Sequence, residues 1–481
     1  MRYWIAFAIC AIAATVPLLM TGVLPCADLP EHMAQVAIWK HFGDTCTRYS
    51  EIFEHNFATP YLLGYLIMRA LATVMTVTAA SKVTVWLSIV LFPLSLRVLL
   101  RRTQADEWLS LLGFLFAYGY VFYWGFLNFA LAIPIGIVVI ALAVGGWRVA
   151  VVPALLWLVL LGAHALMFVF CAIVLIGIAI VRRAPRILMP LIAPSLLFAA
   201  FIVKLRAAET AAHGDITWWK SAPKRLLDIP SLLFANAWEP FGALLLIGIV
   251  IAIVITRPRL TRDRSRWVFF AVAMLLYLFA PLGAFGSTYL YTRFTWAVAV
   301  AALFVLDAPR RALLASRTVI IVLILGWMCV LSMRFRAFGE EVRDYEQLVE
   351  MIPANRRIVQ FNVEPFSEHV PGPVYWHFGA LYQVRRGGLI AWSFANFYPQ
   401  IVRYRKGTEP LLTSHSTPLT GIDWPGMMQY DYLLVRGPDP RRWLFRDAPV
   451  AIPTERHVGE WWLFAMPRAR GAQRDCPPLN E

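Results

Sequence analysis

Eleven apolar runs dominate the chain, at 4–24, 83–100, 109–123, 126–144, 149–163, 165–181, 187–204, 241–256, 267–283, 294–307 and 318–334. A hydrocarbon layer about 30 Å thick is crossed by about 20 apolar helical residues, and it contains no water to satisfy an irregular backbone. So many such runs in one chain imply an α-helical polytopic membrane protein of about eleven spanning helices. Composition agrees, with 59% hydrophobic and 15% charged residues in 481. The formal charge of +15 invites a nucleic-acid reading. The basic residues, however, cluster in short loops between apolar runs, which is the pattern of cytoplasmic loops, so no nucleic-acid partner is expected.

The loops orient the chain. Arg101-Arg102, Arg148, Arg182-Arg183-Arg186, the block 257–266 and Arg310-Arg311-Arg317 belong inside. The acidic first loop carries Asp28, Glu31, Asp44, Glu51 and Glu54 and belongs outside. Passing from that loop to an inside Arg101-Arg102 requires an odd number of crossings, yet 61–78 and 83–100 together would make two. Arg69 lies at the centre of 61–78 and is costly in hydrocarbon, so 56–78 is expected at the membrane surface or re-entrant. The run 4–24 is expected as a retained signal anchor with a cytoplasmic N-terminus. The large loops 25–82 and 205–240 and everything after the last span then face the extracytoplasmic side of an inner (cytoplasmic) membrane.

Composition divides the chain near 337/338. Residues 1–337 carry the spans, and 338–481 have an ordinary soluble mixture. There 340–351 is expected as a helix, and 357–363, 432–435 and 461–464 as buried strands. The second part is therefore expected to be a small extracytoplasmic α/β domain. Cys10, Cys171 and Cys329 lie in apolar runs, whereas Cys26, Cys46 and Cys476 fall in polar segments, where a Cys26 to Cys46 disulfide would suit an oxidising compartment. No Walker A loop, Rossmann fingerprint, nucleophile elbow or zinc-protease motif is present.

Chemistry concentrates at Asp28-Leu29-Pro30-Glu31-His32. Pro30 opens a helix, and Met33, Val36, Ala37 and Trp39 recur at helical spacing after it. Asp28 then precedes the helix, with Glu31 and His32 in its first turn. Asp28 has two readings: a helix cap, and a general base or cation ligand at the membrane edge. Glu31 and His32 favour the second, because a cap does not need them. The three could also complete a site for a divalent cation, Mg or Mn.

Arg293 ends a span beside Tyr289 and Tyr291 on the external side, where a guanidinium suits bidentate contact with a phosphate and also suits snorkelling to headgroups. Lys204 and Arg206 have the same two readings. Asn128, in Trp124-Gly125-Phe126-Leu127-Asn128-Phe129, is placed to cap a helix or to bond a sugar. His164 lies at an external hairpin, where a buried structural histidine competes with a binding role. Trp218, Trp219 and Lys220 either anchor their loop at the interface or stack on a sugar ring.

This arrangement resembles the GT-C superfamily of integral membrane glycosyltransferases: a signal anchor, a large first external loop opening with an acid on a helix, a surface segment, a long loop between the seventh and eighth spans, and a soluble external domain. At motif level only Asp28 within Asp28-Leu29-Pro30-Glu31-His32 matches. The resemblance implies Asp28 as catalytic base or metal ligand, with Glu31 and His32 in support. It also implies a polyprenyl-phosphate sugar donor and an acceptor glycan, lipid or protein outside. The second acid that the family often carries in the next external turn is replaced here by Asn128. The competing classes are a transporter or flippase and a non-catalytic scaffold of an export complex. Against the first, no halves with matching broken helices occur, and the charged residues sit at span ends.

Overall fold

The computed structural model describes residues 2–145, 151–208, 216–235, 239–255, 258–284, 287–307, 314–410, 422–442, 444–446, 448–470 and 477–479. The chain forms two compact units. The first comprises Met1–Leu18, Ala58–Gly64 and Val85–Ser332, and the second comprises Leu19–Phe57, Tyr65–Thr84 and Met333–Glu481. Most of the loop 25–82 therefore belongs with the C-terminal segment.

In the first unit the apolar runs are helices. Among the described residues five helices are long and apolar enough to cross a membrane: Val77–Arg102, Leu127–Gly145, Ala165–Arg182, Pro185–Ala207 and Leu314–Met351. Four shorter apolar helices accompany them. Tyr3–Leu19 buries Tyr3, Ala6, Cys10, Ala14 and Leu18 on one face and exposes Trp4, Ile5, Ile9 and Ile12 on the other. Bare isoleucine and tryptophan faces at helical spacing are stable against lipid tails and not against water, so this is a membrane protein.

Two expectations change. The run 109–123 is not one helix but three short pieces, Glu107–Leu112, Gly113–Phe116 and Tyr120–Tyr123. Its break at Gly119 is a close approach, where a Cβ would lie 2.5 Å from the carbonyl oxygen of Leu233. Within 61–78, expected not to cross, the helix Leu63–Leu71 is roughly 14 Å long and too short to cross alone, and Val77 already opens the helix Val77–Arg102. The helix expected over 340–351 is the end of the uninterrupted Leu314–Met351 helix.

The second unit is built on a five-stranded sheet in the order Leu389–Ile390, Arg357–Asn362, Tyr432–Arg436, Trp461–Ala465, Thr454–Val458. The first three strands are parallel and the last two join antiparallel, so the sheet is mixed. Side chains alternate across each strand. Val359 and Phe361 join Leu433, Val435, Trp462 and Phe464 in the core on one face. Ile358, Gln360 and Asn362 point to the other face, where the helix Gly379–Arg386 packs against both the sheet and the helix Leu29–Lys40. The entry to the edge strand passes Gly388 at φ +81°, where a Cβ would lie 2.1 Å from the Arg356 carbonyl oxygen, so only glycine fits there.

Candidate active site

The helix Leu29–Lys40 is buried along nearly its whole length, Leu29 to Ile38, on all sides. Buried polar side chains on such a helix must find partners. Those of Glu31 and His32 do, and Gln35 does through its Oε1, while its Nε2 is buried with no hydrogen-bond partner among the described residues. Glu31 Oε2 accepts the Phe394 N–H at 2.8 Å, and Gln35 Oε1 accepts the Val402 N–H at 2.8 Å. His32 Nδ1 lies 2.7 Å from the Tyr65 hydroxyl, which donates to Gln400 Oε1 at 2.5 Å. The hydroxyl gives its proton to Gln400, so the contact with His32 is an Nδ1–H donated to Tyr65. Three side chains of one helix thus hold the segment 394–402, which is fixed from its other side by Asn56 Nδ2 donating to the carbonyls of Tyr398 and Gln400.

Asp28 occupies the N-cap position of this helix, yet its side chain makes no capping hydrogen bond. Its carboxylate instead faces His377, with Oδ1 3.4 Å from Nε2, and the two side chains are 17% and 5% exposed. The capping reading is therefore not what the geometry uses. His377 is stacked on Trp392, with ring centroids 4.3 Å apart and planes 11° apart, and meets the edge of Phe394 at 6.0 Å. His32 touches the same Phe394 at 5.2 Å.

Asp28 and Glu31, one turn apart, are separated by environment. Burial pushes the Glu31 carboxyl up to about 8; the Asp28 charge adds to the rise, while the Phe394 N–H and Ser393 hydroxyl oppose it. At neutral pH Glu31 is therefore mainly a neutral acid, and the exposed edge of the pair belongs to Asp28. Tyr65 is driven well above its ordinary value by burial, reinforced by Glu31 and Asp28, and stays a neutral hydroxyl.

Glu31 is turned to a backbone amide and His32 to a tyrosine, and among the described residues no three His, Cys, Asp or Glu groups converge. The anticipated Cys26 to Cys46 bridge does not form either. Cys46 is disulfide-bonded, but Cys26 is a free, buried thiol.

The other candidates lie in the first unit. Arg293 donates to the Thr288 carbonyl at 3.2 Å, and its guanidinium stands 3.8 Å over the Phe126 ring. Tyr289 joins this aromatic group through Trp124 at 4.1 Å. Tyr291 is elsewhere, buried under the guanidinium of Arg225 at 3.9 Å. Lys204 and Arg206 are exposed on the helix Ile192–Ala208. Asn128 Oδ1 accepts the Gly64 N–H at 2.9 Å, and His164 Nδ1 caps the helix Ala165–Arg182 by accepting the Leu166 N–H at 3.1 Å, so both act within the fold. Trp218 and Trp219 are more than half exposed, and Lys220 pairs with Asp228 at 2.8 Å.

Sequence reasoning did not find His377, Tyr65 or Gln400. A buried histidine between aromatics, in Trp376-His377-Phe378-Gly379, was the available signal, in a chain with only nine histidines.

No family model and no curated protein matches the chain. Among solved structures it is similar to ArnT from Cupriavidus metallidurans bound to undecaprenyl phosphate, a GT-C glycosyltransferase. The similarity covers 98% of this chain and 99% of that one, at 12% identity and a TM-score of 0.49.

Proposed function

We propose that this protein is a membrane glycosyltransferase that moves a sugar from a polyprenyl phosphate to an acceptor hydroxyl on the extracytoplasmic side. The observation that carries this reading is the Asp28 carboxylate. It heads a buried helix, does not cap it, and remains partly accessible beside a neutral carboxylic acid and a buried histidine. Such a group suits a general base. As the acceptor oxygen bonds to the anomeric carbon, its proton passes to Asp28. The bond from that carbon to the phosphate oxygen breaks, and polyprenyl phosphate leaves. No step needs Glu31 as a second base. The disulfide at Cys46 supports placing this unit on the oxidising side of the membrane. In the membrane unit Arg293 is the proposed contact for a lipid phosphate.

The test is release of polyprenyl phosphate by the purified chain in proteoliposomes, offered a panel of polyprenyl-phosphate-linked hexoses and pentoses with acceptor extract. Asp28→Asn should lower release about 10²–10⁴-fold. Its unfolding temperature should stay unchanged, since the Asp28 side chain makes no capping bond to lose and asparagine has nearly the same shape. Near-normal release by folded Asp28→Asn removes the base, and movement of solute without release would mark a transporter.

A further inference from the structure

The geometry points to His377 as the positioning residue of the site: it aims the Asp28 carboxylate at the acceptor and stabilises it, acting through Asp28 and not on the substrate. This deepens the glycosyltransferase reading and rests on it.

Gln360 and Asn362, two residues apart and on one face, both reach the turn that carries His377. Gln360 Nε2 donates to the Tyr375 carbonyl at 2.9 Å. Asn362 Nδ2 donates to the carbonyls of Tyr375 at 2.9 Å and Trp376 at 3.0 Å. Gln360 Oε1 also accepts the Gly379 N–H. Two amides on a central strand thus bracket the turn on both sides of His377, and the Ala380 N–H donates to the His377 carbonyl at 3.1 Å. The imidazole is then clamped by Trp392 on its face and Phe394 on its edge. Backbone and ring are both fixed, and Nε2 is left facing Asp28.

A core histidine needs a satisfied hydrogen bond, but it does not need a carboxylate at the head of a helix as its neighbour. The separation of 3.4 Å is longer than a mature charge-assisted hydrogen bond of about 2.7–2.9 Å. Catalytic hydrogen bonds in ligand-free structures are commonly long and tighten in the substrate complex. Oδ1 faces His377, and among the described residues the Asp28 carboxylate makes no other hydrogen bond or ion pair. That leaves Oδ2 for the acceptor hydroxyl. When the acceptor proton reaches Asp28, the His377 contact holds the carboxyl in the same orientation for its return to solvent.

The experiment uses the full chain in proteoliposomes with whichever polyprenyl-phosphate-linked hexose or pentose it turns over. His377→Phe keeps a flat ring against Trp392 and has no N–H. It should lower kcat about 10²-fold, the usual cost of a misplaced reacting group, with KM for the donor unchanged. His377→Gln sets an amide N–H near the position of Nε2 and should recover most of that loss. The double variant with Asp28→Asn should fall no further than Asp28→Asn alone. Independently of turnover, the Nε2 resonance of His377 in isotope-labelled protein should move on Asp28→Asn. Full activity in His377→Phe overturns the inference. So does equal loss in the Phe and Gln variants with a lowered unfolding temperature, which would make the residue a packing element, and so does an Nε2 resonance indifferent to Asp28. An active Asp28→Asn protein would instead sink the enzyme reading itself.

Discussion

Asp28 and Arg225 are both charged residues at helix ends outside the apolar runs, and the structure uses them in opposite ways. Arg225 is 2% exposed, and its donors are consumed by backbone. It bonds the carbonyls of Lys220 and Trp219 in its own segment and those of Tyr277 and Ala280 at the C-terminal end of the helix Arg264–Phe279. Those last carbonyls have no intrahelical partner, so the arginine closes a helix end and staples a loop to it. Asp28 sits where a carboxylate would close the other kind of helix end, and leaves those N–H groups alone. The difference teaches that a charged group which completes the local backbone is architecture. One that declines an available backbone bond in favour of a side chain from the far end of the chain is a candidate for chemistry.

The largest effect expected from this contrast is the one on activity. Asp28→Asn should lose about 10²–10⁴-fold in transfer at unchanged unfolding temperature, as measured in proteoliposomes and by thermal unfolding in detergent. Arg225→Leu should do the reverse. It removes the donor of four carbonyls, of which that of Tyr277 is buried, and at roughly 1–3 kcal/mol per buried unsatisfied group the unit should lose about that much stability, seen as a fall in unfolding temperature. A stable Arg225→Leu protein would break the comparison.

Glu31 sharpens it through pH. Its carboxyl titrates near 8 when folded, against about 4.3 in an unfolded chain, so between those values the folded state holds a proton that the unfolded state has released. This group's contribution to stability is full below about pH 4.3 and declines, by up to about 1.4 kcal/mol per pH unit, until about pH 8. Glu31→Gln keeps an acceptor for the Phe394 N–H and cannot ionise, so its unfolding temperature should fall less between pH 5 and 8 than that of the parent. An identical pH dependence in both proteins would mean that Glu31 is ionised in the fold. The smallest effect is expected of Arg293→Lys, which keeps the charge and loses the planar fork. A several-fold rise in KM for the donor is expected if Arg293 meets a lipid phosphate. An unchanged KM would return Arg293 to its place over Phe126.

The parts of this molecule that are legible in the sequence are those decided by neighbours along the chain. Spacing placed Glu31 and His32 in the first turn after Pro30, and short apolar runs placed strands at 357–363, 432–435 and 461–464, where the structure has them at Arg357–Asn362, Tyr432–Arg436 and Trp461–Ala465. What spacing does not show is where a side chain goes next. Glu31 bonds a residue 363 positions away, and Tyr65 one that is 335 away. Nothing local in His377 or Gln400 marks them as partners of that helix. The broken run 109–123 failed for a related reason, because apolar composition records burial and not whether a close contact at Gly119 interrupts the helix.

The two amides of the strand Arg357–Asn362 also carry a consequence for how this chain tolerates length changes. Because strand side chains alternate with a period of two, inserting or deleting a single residue ahead of Gln360 would swap the faces of everything beyond it. Phe361 would turn toward the His377 turn, and an amide would enter the core among Leu433, Val435 and Phe464. A one-residue change in that strand would therefore disarm the site without touching any residue of it, whereas a two-residue change preserves the alternation. The parity of one short strand is thus a condition on the chemistry at the head of a helix more than three hundred residues earlier in the chain.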